Sequence, residues 1–98
     1  MYLISILIID DHPIVLEGSK RLLHDIEDME IETESHPQNV LQKMQQVHYD
    51  IFLIDINMTE QNGISLAKAI KSTQPSSSVI LYTGDDIRSY YPLIIEKK

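Results

Sequence analysis

The sequence predicts an α/β fold, a doubly wound parallel sheet with helices on both faces, folded as a single domain over residues 1–98. Three observations carry this reading. Two short runs, Leu3–Ile9 and Tyr49–Ile56, are almost uniformly apolar and rich in Ile, the signature of strands covered on both faces. Stretches with apolar residues at helical spacing separate the strand-like runs, and such alternation implies a parallel sheet with right-handed crossovers. The length of 98 residues allows one modest core and leaves little room for a second module.

The elements follow in order. Leu3–Ile9 is the first strand, ended by Asp10 and Asp11. Pro13 suits the first turn of a helix whose inner face is read as Val15, Leu22 and Ile26, with small Gly18 and Ser19 between them. Ile14 and Leu16 fall off that stripe. Met29–Ser35 alternates Ile31 and Thr33 with acids, as an edge strand with one wet face does. Pro37 and Asn39 open a second helix through Val40, Leu41, Met44 and Val47. Tyr49–Ile56 is a buried strand with Asp55 near its C-terminal end, and the turn pair Asn62-Gly63 leads into a helix carrying Ile64, Leu66, Ala67 and Ile70 that ends before Pro75. Val79–Thr83 is a fourth strand, broken by Gly84. Asp85-Asp86 caps a fourth helix that Pro92 interrupts.

Bulk properties exclude several function classes. Without Cys there is neither a disulfide framework nor a Cys-based zinc site, which suits a cytoplasmic location. The apolar N-terminal stretch is far too short to span a membrane. A formal net charge of −7, with Lys and Arg scattered along the chain, argues against direct nucleic-acid binding.

In parallel sheets ligands gather at the C-terminal strand ends, where Asp10, Asp11, Asp55 and Thr83 are all expected. Three converging carboxylates without a cation would raise one another's pKa and cost stability. Magnesium resolves the conflict, since it takes oxygen ligands, keeps several waters and works with one or two carboxylates beside phosphate oxygens. Attack by Asp on a phosphoryl group brings two anions together, and a bound cation neutralises both. Thr83 could hydrogen-bond the new phosphoryl oxygens, and the Gly84 amide could do so without a side chain in the way.

The blocks ILIIDDHP, FLIDINM followed by Gly63, and LYTG together resemble the receiver domains of two-component response regulators. The run DDHPIVLEG is similar to the NarL/FixJ type, whose receivers precede a helix-turn-helix output domain, and within it to the competence-type regulators. The resemblance implies a flavodoxin-like sheet in strand order 2-1-3-4. It implies Asp55 as phosphoacceptor, Asp11, Asp55 and the backbone carbonyl of Asn57 as direct magnesium ligands, Asp10 acting through water, and Thr83 as the switch hydroxyl. The implied phosphodonor is a sensor histidine kinase. The receiver would be consumed as substrate and not be a turnover enzyme. Two departures stand out. Thr59 replaces a usual Pro after Met58, a change expected to touch no ligand. The chain is also expected to be truncated, lacking the fifth strand, with the Lys that pairs with the phosphoryl group, and the fifth helix. Uncovered apolar surface would then favour a homodimer or swapped oligomer, and phosphorylation would be slow or absent. The alternative is a receiver-like decoy that binds a kinase without being phosphorylated. An aspartyl-phosphate hydrolase is disfavoured, because Asn57 stands where a second Asp would be needed.

Ile14 and Leu16, lying off the buried stripe, are candidates for kinase docking on the first helix. His12, His24, His36 and His48 recur every twelve residues, but they fall on a loop, a helix, a strand end and a helix end, so this spacing is read as chance. Tyr90 and Tyr91 are read as ordinary packing on the fourth helix.

Overall fold

The computed structural model describes residues 3–83. The expected fourth helix with Tyr90, Tyr91 and Pro92, and the candidate Gly84, lie outside the described residues. Four strands, β1 (Ile4–Ile9), β2 (Met29–Glu34), β3 (Ile51–Asp55) and β4 (Ser78–Tyr82), form one parallel sheet in the order β2-β1-β3-β4. Three helices connect them: α1 (Pro13–Leu23), α2 (Val40–Met44), entered through a 3-10 turn at Pro37–Asn39, and α3 (Gly63–Thr73). The register aligns Ile9 with Ile54 and Asp55 with Tyr82, so the strand ends form one rim. This is the doubly wound, flavodoxin-like arrangement expected from the alternation.

Alternation along the strands divides the core into two layers. Leu7, Ile9, Phe52, Ile54, Val79 and Leu81 pack with Val40 and Met44 of α2 and with Leu66, Ala67 and Ile70 of α3. Ile6 and Ile8 face the other way, onto Leu16 and Leu23 of α1. Edge strand β2 keeps the expected wet face, with Glu30 and Glu32 exposed. Its last residue, Glu34, is buried and paired with Lys43 at 3.0 Å. Burial alone would raise the Glu34 pKa, but Lys43, the His36 amide and Asn39 together hold it below the ordinary range.

Helix α1 is rotated relative to the face read from the sequence. Leu16 is buried at 7% exposure, and Ser19 and Leu23 continue its face, whereas Leu22 is 82% exposed and Ile14 85%. Val15, Leu22 and Ile26 satisfy helical spacing, but so do Leu16, Ser19 and Leu23. The sheet chooses the second set, because Leu16 reaches Ile6 and Ile8. Leu16 is thereby withdrawn as an exposed docking residue, while Ile14 stands outward.

Candidate phosphoacceptor and cation site

Asp10 and Asp11 leave the end of β1 where the chain turns into α1, and Asp55 closes β3 beside them. Asp10 is almost fully buried, 2% exposed. Its Oδ1 accepts hydrogen bonds from the His12 amide (2.9 Å) and from His12 Nδ1 (2.7 Å), and its Oδ2 accepts one from the Tyr82 hydroxyl. Asp11 Oδ2 accepts a hydrogen bond from the Thr59 amide at 2.8 Å. Asp55 Oδ1 accepts one from the Asn57 amide at 3.2 Å, and Asn57 Nδ2 donates to Thr83 Oγ1 at 3.1 Å. The Thr83 hydroxyl is thus tied to the loop that follows Asp55.

Helix α3 fixes this loop from below. The Asn62 side chain caps the helix by accepting from the Ile64 amide at 2.7 Å, and the Gly63 amide donates to the Ile56 carbonyl at 2.9 Å. The turn chemistry read at Asn62-Gly63 therefore anchors the strand that carries Asp55 as well as starting a helix.

The electrostatics of the three acids differ. Burial pushes Asp55 up to about 6, against the Asn57 amide, and the neighbouring Asp10 charge adds to the rise. Crowding contributes as the sequence suggests, but desolvation is the larger cause. Asp11 is held below its ordinary value chiefly by the Thr59 amide. His12 is raised, first by its hydrogen bond to Asp10 and then by the surrounding carboxylate charge.

One reading of the sequence needs correction here and one needs an addition. Thr59 does touch a proposed ligand, through a backbone N–H that the usual Pro would lack. His12 belongs to the cluster: it and Asp10, Asp11 and Asp55 each offer a ligand atom, all within 4.8 Å of one another. The neighbours His24, His36 and His48 find are Asp25, Glu34 and Asp50, outside the cluster. Tyr82 was missed as a partner of Asp10; its place beside Thr83 at the rim was the available signal.

Thr59→Pro removes both the amide and the hydroxyl that lower the Asp11 pKa, the amide being the larger cause. It is expected to raise the Asp11 pKa and to cost ~1 kcal/mol of stability, partly offset by the stiffer unfolded chain. Carboxyl-detected NMR titration measures the first and urea unfolding the second. An Asp11 titration identical in both chains would refute the assignment of this amide.

The donor set suits a small divalent cation. Asp11 Oδ1 is buried and accepts no hydrogen bond from the described residues, its nearest cationic neighbour being His12 Nδ1 at 3.2 Å. A groove of about 280 Å³ lined by Asp11, Pro13, Ser35, His36, Thr59 and Glu60 adjoins it. A larger hollow, about 400 Å³, lies beside β2 and contains none of the cluster's residues.

Comparison with known proteins accords with this geometry. The response regulator receiver domain family matches residues 6–95. The chain belongs to that family. Among curated relatives, this receiver is 37% identical over 91 residues to the transcriptional regulatory protein ComA of Bacillus subtilis, covering 89% of the chain and 42% of ComA. It is 29% identical over 94 residues to DegU of Brevibacillus brevis, covering 95% of the chain and 40% of DegU. These are regulators of the NarL/FixJ family that the run DDHPIVLEG suggests. Among solved structures, the RcsB response regulator of Salmonella typhimurium superposes with a TM-score of 0.78 at 30% identity, over 88% of this receiver and 45% of RcsB. TrrA of Thermotoga maritima, solved in complex with Mg2+ and BeF, gives 0.77 at 29% identity over 89% of this receiver and 75% of TrrA. The receiver spans less than half the length of the curated relatives it matches. Among the described residues no helix is long and apolar enough to cross a membrane.

Proposed function

We propose that this receiver accepts a phosphoryl group on Asp55 from the phosphohistidine of a sensor histidine kinase. The observation that carries the reading is the buried Asp55 carboxylate set against Asp10 and Asp11 at one rim of a parallel sheet. Asp11, Asp55 and the Asn57 backbone carbonyl would hold a magnesium ion directly and Asp10 through water; bound there, it supplies neutralising charge to carboxylate and phosphoryl oxygens as they approach.

The chain's own residues do the rest. Asp55 is ionised at neutral pH, since its pKa stands at about 6, and its free carboxylate oxygen attacks phosphorus. A new O–P bond forms, the bond from phosphorus to the donor nitrogen breaks, and its electron pair leaves with the imidazole. Asn57 steadies the Asp55 carboxylate through its amide and holds Thr83 Oγ1 nearby, from where the hydroxyl can donate to a phosphoryl oxygen. Asp55 is consumed in the process, so the receiver assists its own modification and is not a turnover enzyme.

The wider setting follows from the same reading. The kinase meets α1 on its outward apolar face, where Ile14 and Leu22 stand exposed. RcsB has been solved as dimers bound to DNA, and we assign DNA contact to a separate output domain, because this chain carries a net charge of −7. Pairing of two receivers is part of the proposal, as is a cytoplasmic location. Prolonged incubation with an acyl phosphate and magnesium should add one phosphoryl group by intact mass, even where the reaction is slow, and Asp55→Asn should remove the adduct. An adduct that survives in Asp55→Asn, or none in the wild-type chain, would overturn it.

A further inference from the structure

We propose that His12 is a fourth ligand at the acidic pocket, giving this receiver an affinity for nitrogen-preferring first-row divalent cations that three carboxylates alone do not provide. The inference rests on the reading of the pocket as a cation site.

The geometry is that of a ligand set. His12 Nδ1 lies 2.7 Å from Asp10 Oδ1, 3.2 Å from Asp11 Oδ1 and 3.7 Å from Asp55 Oδ2. In an octahedral shell with bonds of about 2.1 Å, adjacent donor atoms stand roughly 3 Å apart. The ring nitrogen therefore stands at ligand-to-ligand distance from Asp11 Oδ1 and only slightly farther from Asp55 Oδ2, the two carboxylates read as direct ligands, while its 2.7 Å contact to Asp10 is a hydrogen bond whose proton a bound cation would displace to solvent. One of those oxygens, Asp11 Oδ1, is buried and takes no hydrogen bond from the described residues. The rest of the imidazole is turned to solvent, His12 being 61% exposed, so the ring can adjust towards an ion without disturbing the core.

Donor chemistry then sets the preference. Magnesium is hard and takes oxygen, so it gains little from an imidazole and keeps water in that position. Nickel, cobalt and zinc bind imidazole readily, and along the first row affinity for mixed nitrogen and oxygen sites rises towards copper. A carboxylate pocket with one well-placed imidazole should thus hold magnesium through its acids and the later metals through acids and His12 together.

Calorimetric titration of the chain with nickel and with magnesium, repeated on His12→Gln, tests this. The substitution should weaken nickel binding about tenfold or more while leaving magnesium affinity within about twofold. X-ray absorption of the nickel-loaded chain should show imidazole scattering that His12→Gln loses. Equal nickel affinity in both chains, or an equal loss for nickel and magnesium, would overturn the role of His12. An Asp11→Ala arm separates this from the underlying reading: magnesium binding unchanged by Asp11→Ala would overturn the cation site itself, and His12 with it.

Discussion

Gly63→Ala is expected to destabilise the receiver by about 3 kcal/mol or more, a large effect for one added methyl group. A Cβ at this position would lie 2.2 Å from the Asp55 carbonyl oxygen, 2.8 Å from the Ile56 Cα and 2.9 Å from the Asp55 carbonyl carbon. All three are backbone atoms at the end of β3, so no side chain can swing aside. Relief requires the N-terminus of α3 to lift from the sheet, which breaks the hydrogen bond from the Gly63 N–H to the Ile56 carbonyl and shifts Leu66, Ala67 and Ile70, each fully buried. The same movement displaces the backbone carrying the Asp55 carboxylate. Helix propensity alone gives the opposite sign, since Ala is better than Gly in a helix by about 1 kcal/mol. Gly18 in α1 supplies the control: nothing lies within 4 Å of a Cβ there, and Gly18→Ala should stabilise by roughly 0.5–1 kcal/mol. Urea unfolding of both variants beside the wild-type chain decides the matter, and a Gly63→Ala chain as stable as wild type would refute the close approach.

The two glycines show how much of this molecule is legible in its residues. The strands were readable because Ile-rich runs such as ISILII have few uses other than burial on both faces, and the acids ending them mark the rim where a parallel sheet binds ligands. Asp10, Asp11 and Asp55 could be grouped on that ground, and the structure does bring them together. What could not be read depends on rotation and reach. Two sets of α1 residues satisfy the same helical period, and only contact with Ile6 and Ile8 selects Leu16 over Leu22. Thr59 acts chiefly through its amide, which a side-chain pattern does not display, and Tyr82 acts across the rim on a residue 72 positions away. His12 was masked by a misleading regularity: a spacing of twelve invited comparison with the other histidines when its relevant neighbours were the adjacent acids.

Asp55→Asn is expected to stabilise the cation-free chain by about 1–3 kcal/mol near neutral pH, and to abolish the stabilisation that magnesium gives the wild type. The sign follows from proton counting. Burial raises Asp55 from 3.8 to about 6, so between these values the folded chain keeps a proton that the unfolded chain has lost. Stability falls as pH rises through that window, and the full penalty applies above it. His12 acts in the same direction, because its raised pKa contributes stability below 6.5 that is lost as pH rises through the folded value. Asp11 and Glu34 act oppositely: their depressed values contribute stability above the ordinary carboxylate range that is lost in acid. The comparison with Asn isolates the first of these contributions, since Asn has a similar shape and no charge at any pH. The two chains should converge in stability near about pH 4, where Asp55 is protonated in the folded state, and diverge by about pH 7. Magnesium favours the ionised state, and at about a hundred times its Kd it should return roughly 2.7 kcal/mol to the wild type and little to Asp55→Asn. Urea midpoints for both chains, at the two pH values with and without magnesium, complete the cycle. Equal stability of the two chains in cation-free neutral buffer would refute the buried, strained carboxylate; equal stabilisation of both by magnesium would place the ion elsewhere. The desolvation that makes Asp55 costly to fold would favour a cation at this rim, and a bound cation would keep the Asp55 carboxylate ionised at the pH where phosphoryl attack is proposed.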